Sequence, residues 1–296
     1  MQGQSMQLSA WLWRRASRAM TVFMIFAVYV VMHIHQESLH AEHHQAADTY
    51  NMLFNCSNIA QIGINTRNVH GKGVTKHANL GRHQNSHVLV KMVTGTGHDV
   101  TRCLSNGNRS STECYAWANM KLLKEILLHL ELRHSNLVQL LGFCIRSEET
   151  ENLSLSQHGV IGVYEYVLPL FHIRSWSLTD RLRSAWELVD LLDYLEHSAL
   201  GSLLLADLKR SHLLFRPPHS IVIVDLDDVS SVEPKCTSVE QCRFKVQCQD
   251  GRCIGHSAKH NLHKLHSVLL YELLHGGALT YVRYNTSSVC DDLNSG

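Results

Sequence analysis

The sequence predicts an α+β fold of two lobes, a β-rich N-terminal lobe and a shortened helical C-terminal lobe, on three observations. A glycine-containing turn near Gly71 leads into the apolar strand His87–Val93. Two stretches, near 112–132 and 178–196, repeat apolar residues at helical spacing. Past the second stretch, two short apolar runs flank a Pro-Pro turn, with an aspartate beside the outer end of each.

A chain of 296 residues, 45% of them hydrophobic, can build two lobes around a shared cleft. Its formal net charge of +1 gives no strongly basic face, so nucleic acid is not expected as a partner. Near the N-terminus, Arg14, Arg15 and Arg18 precede Ala19–Met32, a run without charge. That is the pattern of a secretory signal, and the run is shorter than the roughly 20 residues that cross a bilayer as a helix. Residues 1–32 therefore read as a signal peptide or, if uncleaved, a signal-anchor giving membrane anchorage. Residues 33–54 read as a polar stalk, in which His33, His35, His40, His43 and His44 are stalk residues rather than a metal site.

Two further features place the rest of the chain in an oxidising lumen. Four of the nine cysteines, Cys236, Cys242, Cys248 and Cys253, lack the paired Cys-x-x-Cys spacing of a zinc ribbon. They read as disulfides, with all three connectivities open and Cys290 the candidate for an unpaired thiol. Asn-x-Ser/Thr sequons begin at Asn55, Asn108, Asn152 and Asn285.

After the strand at His87–Val93 a long polar loop is expected, then a helix over about Thr112–Leu132 with Leu123, Ile126, Leu127 and Leu130 on its apolar side. Leu137–Cys144 and Gly159–Val167 read as buried strands, and Leu178–Glu196 as a helix carrying Leu182, Ala185, Leu188, Val189, Leu192 and Leu195 on one side. The runs Leu203–Phe215 and Ile221–Asp228 read as a hairpin that presents two carboxylates on one side. A last helix is expected over about Lys259–Leu274.

Phosphoryl transfer from ATP requires a cation for the phosphates, a carboxylate to orient it, a carboxylate for metal and another near the attacking hydroxyl. The chain supplies these in order: Lys91 in Val88-Leu-Val-Lys91, Glu125 on the next helix, Asp207 in Ala206-Asp-Leu-Lys209, and Asp225 in Val224-Asp-Leu-Asp227. Lys91 stands where the protein-kinase signature puts its phosphate-binding lysine, and Asp225 stands in place of the Asp-Phe-Gly aspartate. Arg133-His-Ser-Asn-Leu-Val138 and the hinge-like Val163-Tyr-Glu-Tyr-Val167 resemble further kinase segments, the second implying adenine contacts at Glu165 and Val167.

Over about Asn55–Gly277 the chain is similar to the secreted vertebrate lonesome kinase family. The stretches that carry this resemblance are Gly97-His-Asp99 with Cys103, Cys114 and Tyr115; Lys121–Glu125; His197–Gly201; and Asp225–Asp228 followed by Cys236. The resemblance implies a kinase domain at 55–277, divided into an N-lobe at about 55–167 and a C-lobe at about 168–277, with a tail at 278–296. It also implies an insert between Lys91 and Glu125 stapled by Cys103–Cys114, and phosphorylation of tyrosine on secreted or lumenal protein substrates. ATP is the expected cofactor, with Gly71 and Gly73 in a reduced phosphate loop.

Three departures bear on activity. His212 replaces the asparagine that usually holds a second metal; imidazole suits manganese better than magnesium, so Mn rather than Mg is expected, with Asp227 and Asp228 as additional oxygen ligands. Lys209 is a residue commoner in Ser/Thr kinases. No Ala-Pro-Glu motif follows Asp225, so the C-lobe is expected to be reduced, and a glycosylated pseudokinase scaffold is the alternative function.

Overall fold

The computed structural model describes residues 52–107, 109–146 and 154–274, and of residues 65–68 the backbone alone. The expected signal or anchor at 1–32, nearly all of the stalk, the sequons at Asn108, Asn152 and Asn285, Cys290 and the tail at 278–296 lie outside the described residues.

The chain folds as an α+β protein. Its N-terminal part is an antiparallel five-stranded sheet built from β1 (Gly63–Lys72), β2 (Lys76–His83), β3 (Ser86–Val93), β4 (Leu140–Ile145) and β5 (Val160–Glu165), in the order β1-β2-β3-β5-β4. β3 and β5 lie at its centre, and their Val, Ile and Leu residues bury both faces. Sequence pattern alone left β1 and β2 as a glycine-containing turn. β2 carries polar residues on both faces, Lys76, Asn79 and Arg82 among them, so it has no apolar alternation to read.

The expected polar loop after β3 contains a helix, α1 (His98–Ser105). The long helix α2 (Ser111–Glu131) begins at a capping box: Ser110 Oγ accepts from Glu113 N–H, and the Glu113 carboxylate accepts from Ser110 N–H. Its Ala118, Leu122, Ile126 and Leu130 pack with Leu89, Val93 and Tyr164 of the sheet.

The second lobe centres on α3 (Leu178–Glu196), capped by Ser177 Oγ accepting from Asp180 N–H. Leu188, Leu191 and Leu195 of α3 share a core with Leu265, Leu269 and Leu273 from α4 (His256–Leu265), a π-helical turn at His266–Leu270 and α5 (Tyr271–Leu274). After β6 (Leu168–Pro169) and β7 (Leu204–Leu205), the hairpin of β8 (Leu213–Arg216) and β9 (Ser220–Ile223) closes this core, with β6 paired to β8. Arg133–Val138 hooks the lobes together: Val138 N–H donates to Ile223 O, Ile223 N–H to Asn136 O, and the buried Asn136 Nδ2 to Ile221 O.

Four disulfides form, Cys56–Cys144, Cys103–Cys114, Cys236–Cys248 and Cys242–Cys253. The third and fourth select one of the three open connectivities. The first fastens the segment before the sheet to β4, where Phe54 N–H donates to Leu141 O and the Phe54 backbone lies against Gly142 with no room for a Cβ. No helix among the described residues is long and apolar enough to cross a membrane.

Candidate active site

Both lobes contribute to one cluster of charges. β3 carries Lys91 to the sheet face that α2 covers, and one turn of α2 presents Glu125 opposite. Lys91 Nζ donates to Glu125 Oε1 and to Val224 O, each at 2.5 Å, and lies 4.7 Å from the centre of the Tyr164 ring. Glu125 is fully buried, which disfavours its charge, but Lys76 and Lys91 outweigh burial and hold its carboxyl below the ordinary range.

Asp225 lies two residues past the end of β9 and faces the same space. Its Oδ2 is 3.5 Å from His212 Nε2, and the peptide beside it is fixed by Val224 N–H donating to His212 O. Burial would raise the Asp225 carboxyl, yet Lys91 and Lys76 hold it well below its ordinary value. Asp227 experiences the opposite balance: burial, together with the nearby Asp225 charge, pushes it up to about 6 despite Lys76. Burial also lowers His212 and keeps its imidazole neutral.

Asp207 lies on the exposed loop between β7 (Leu204–Leu205) and β8. Its Oδ2 accepts from Lys209 Nζ at 2.5 Å and is 3.8 Å from His212 Nε2. The base of this loop is anchored by Asn261 of α4, a buried residue: Leu205 N–H donates to Asn261 Oδ1, and Asn261 Nδ2 donates to Leu203 O. Asn261 was not singled out from sequence, because an asparagine inside an amphipathic helix gives no sign of which backbone it will satisfy.

The structure therefore brings Lys91, Glu125, Asp225, Asp227, His212 and Asp207 to one cleft. Gly71 lies near the end of β1 and Gly73 in the turn to β2. Gly73 N–H donates to Lys76 O, and a Cβ at Gly73 would stand 2.8 Å from that oxygen, so only glycine makes this turn without a shift. Glu165 and Val167 lie where β5 leaves the sheet. The Glu165 carboxylate is turned away, accepting from the Arg216 guanidinium and from Gln139 N–H. Asp228 is exposed at the cleft edge.

Lys76 is the residue that sequence reading missed. At the start of β2, its buried Nζ lies 2.6 Å from Glu125 Oε2, 2.9 Å from Asp225 Oδ1 and 2.7 Å from Asp227 Oδ2. The only sequence signal was a lysine two residues past the turn-forming Gly73-Val74, a place where a solvated charge is the ordinary outcome.

One carboxylate oxygen from each of Glu125, Asp225 and Asp227 lies within 4.8 Å of the other two. An all-oxygen set of this kind fits a hard divalent cation, and His212 adds a neutral nitrogen beside it. A cation between phosphate oxygens and these carboxylates would neutralise charge that develops on phosphoryl transfer.

A family model described as the protein-kinase domain of FAM69 matches residues 116–294, a span that includes Glu125, Asp207, His212, Asp225 and Asp227 and starts after Lys76 and Lys91. A human protein, extracellular tyrosine-protein kinase PKDCC, is 33% identical over 202 residues, which are 63% of this chain and 38% of that protein. The chain thus spans well under half the length of this relative. With a strand lysine paired to a helix glutamate and two aspartates facing them across the cleft, the chain belongs to the family of the protein-kinase domain of FAM69.

Proposed function

We propose that the chain is an ATP-dependent protein kinase of the secretory pathway or extracellular space, transferring phosphate to tyrosine on secreted or lumenal proteins. The observation that carries the reading is the Lys91–Glu125 pair set against Asp225 across the cleft, because that pair points an ammonium at the place where phosphates would lie. The relative's name supports tyrosine as acceptor and an extracellular setting. The four disulfides support an oxidising compartment.

In this reading Lys91 holds the ATP phosphates, oriented by Glu125. Asp225 and Asp227, with His212 beside them, hold the divalent cation. Asp207, exposed and next to Lys209, orients the acceptor hydroxyl and takes its proton. The backbones of Glu165 and Val167 receive adenine, and the turn at Gly71 and Gly73 covers the phosphates. The segment at 1–32 directs the chain into the lumen, either cleaved or retained as a membrane anchor.

The test is radiolabelled transfer from ATP by the purified secreted protein, with manganese and with magnesium, followed by phosphoamino-acid analysis. Phosphotyrosine formed by wild type and not by Asp207→Ala supports the proposal; label on serine or threonine would replace the acceptor. His212→Asn should move the metal preference from manganese toward magnesium. A second reading, a non-catalytic scaffold, is favoured by the Lys76 ammonium among the cation-binding oxygens and by His212. Wild type that transfers no phosphate to tyrosine, serine or threonine with either metal, and so matches Asp207→Ala, would establish it.

A further inference from the structure

Lys76 raises a question that the kinase reading leaves open. Its ammonium lies 2.6–2.9 Å from one oxygen of each of three carboxylates, and those residues are the same set whose oxygens converge closely enough for a metal ion. A divalent cation binds carboxylate oxygens at about 2.0–2.6 Å. It cannot take these oxygens while an ammonium holds them, because both need the same central space and two positive centres so close repel strongly.

The charges around this space define what Lys76 does there. Three buried or half-buried carboxylates, Glu125, Asp225 and Asp227, face two ammonium groups, Lys76 and Lys91. His212 at 3.5 Å from Asp225, the buried His129 and Tyr164 beside Glu125, and Lys124, whose Nζ donates to Asp227 O, are the other titratable side chains against the cluster. Lys91 is committed to Glu125 Oε1 and the Val224 carbonyl. Lys76 is thus the cation that joins β2 of the N-lobe to the Asp225–Asp227 segment of the C-lobe. It also sits on the strand that leaves the phosphate-loop turn at Gly73, so a rotation of its four-carbon stem would carry the charge toward that loop.

We propose that Lys76 is a resident counter-cation that occupies the metal position in the nucleotide-free protein and is displaced onto the phosphates when a divalent cation enters. This rests on the reading of the cleft as a metal–nucleotide site. It gives Lys76 a positioning role in two states: holding the carboxylates together without nucleotide, and adding a second positive charge at the phosphates with it. Metal alone therefore binds weakly, since its entry must first break three ion pairs.

The first test titrates manganese alone, without nucleotide, into wild type and Lys76→Met by calorimetry. The expected result is one site bound at least about tenfold more tightly by the variant, a difference of about 1.4 kcal/mol. Equal, weaker or absent binding in Lys76→Met overturns the proposal. The variant leaves three carboxylates without their cation and can fail to fold, so wild type is also tested by amine acylation and mass spectrometry across a manganese titration. Lys76 should change from protected to reactive as manganese rises, while the exposed Lys235 and Lys245 stay constant. Lys76 protected at every manganese concentration overturns the proposal. Neither readout depends on phosphotransfer, so a catalytically inert chain still answers the question.

Discussion

Thr75 in the turn between β1 and β2 donates a 2.6 Å hydrogen bond to Asp99 Oδ2 at the start of α1, and this contact ties the turn to the insert. Asp99 also accepts from Lys121 Nζ at 2.7 Å, and its backbone N–H donates to Val74 O. Burial disfavours the Asp99 charge, but Lys121 and Thr75 together keep its carboxyl below the ordinary value. The insert is in turn stapled to α2 by Cys103–Cys114. A segment that lengthens the chain between Lys91 and Glu125 thereby braces the turn between β1 and β2.

Asp99→Ala should loosen that turn. Loss of a charge-assisted hydrogen bond costs about 1.5–3 kcal/mol, so the melting temperature should fall. The KM for ATP should rise by roughly tenfold while kcat changes less, if the turn covers the phosphates as proposed. Steady-state kinetics at varied ATP, read beside a thermal melt, check both outcomes.

His129 supplies a pH dependence of stability. It is buried on α2 against the Tyr164 ring, and burial lowers its imidazole from 6.5 to about 4. The folded protein therefore binds this proton less readily than the unfolded chain. The stabilisation is complete above about pH 6.5 and is lost as pH falls through about 4, amounting to about 3 kcal/mol over that window. His129→Phe should remove this part of the slope when unfolding free energy is measured between pH 7 and pH 4. An unchanged slope would show that the proton goes elsewhere.

The disulfides should differ in worth. Cys56–Cys144 closes 88 residues of chain and Cys103–Cys114 closes 11. By loop entropy the first contributes about 4–5 kcal/mol and the second about 3. Cys56→Ala with Cys144→Ala should lower secretion and the denaturation midpoint more than the matching change at Cys103 and Cys114. Non-reducing peptide maps should recover all four pairs.

How much of this was legible in the sequence depended on whether the signal was local. The helices α2 and α3 begin and end within a residue or two of the expected bounds, since their apolar period is regular. The last helix starts earlier than expected, at His256, because Gly255 supplies a left-handed residue before it, and a π-helical turn interrupts its course. Lys91, Glu125, Asp207 and Asp225 were read from their order along the chain, and the fold gathers them in one cleft. β2 and Lys76 were missed because their meaning arises only when Glu125, Asp225 and Asp227 arrive from distant elements. Cys56–Cys144 was missed for the same reason, as nothing near either cysteine indicates a partner so far along the chain.

The assignment of this cleft is tested most directly by initial rates of phosphoryl transfer from ATP, with manganese present, for wild type, Lys91→Met, Asp207→Ala and Asp225→Ala. All four proteins should be secreted, since Asp207 is exposed and Glu125 keeps the Lys76 ammonium when Lys91 is replaced. Each variant should lose on the order of 100-fold or more in rate, as removal of a single electrostatic contact to the reacting groups does elsewhere. Variants that transfer phosphate as fast as wild type would contradict the assignment of this cleft as the site of phosphotransfer.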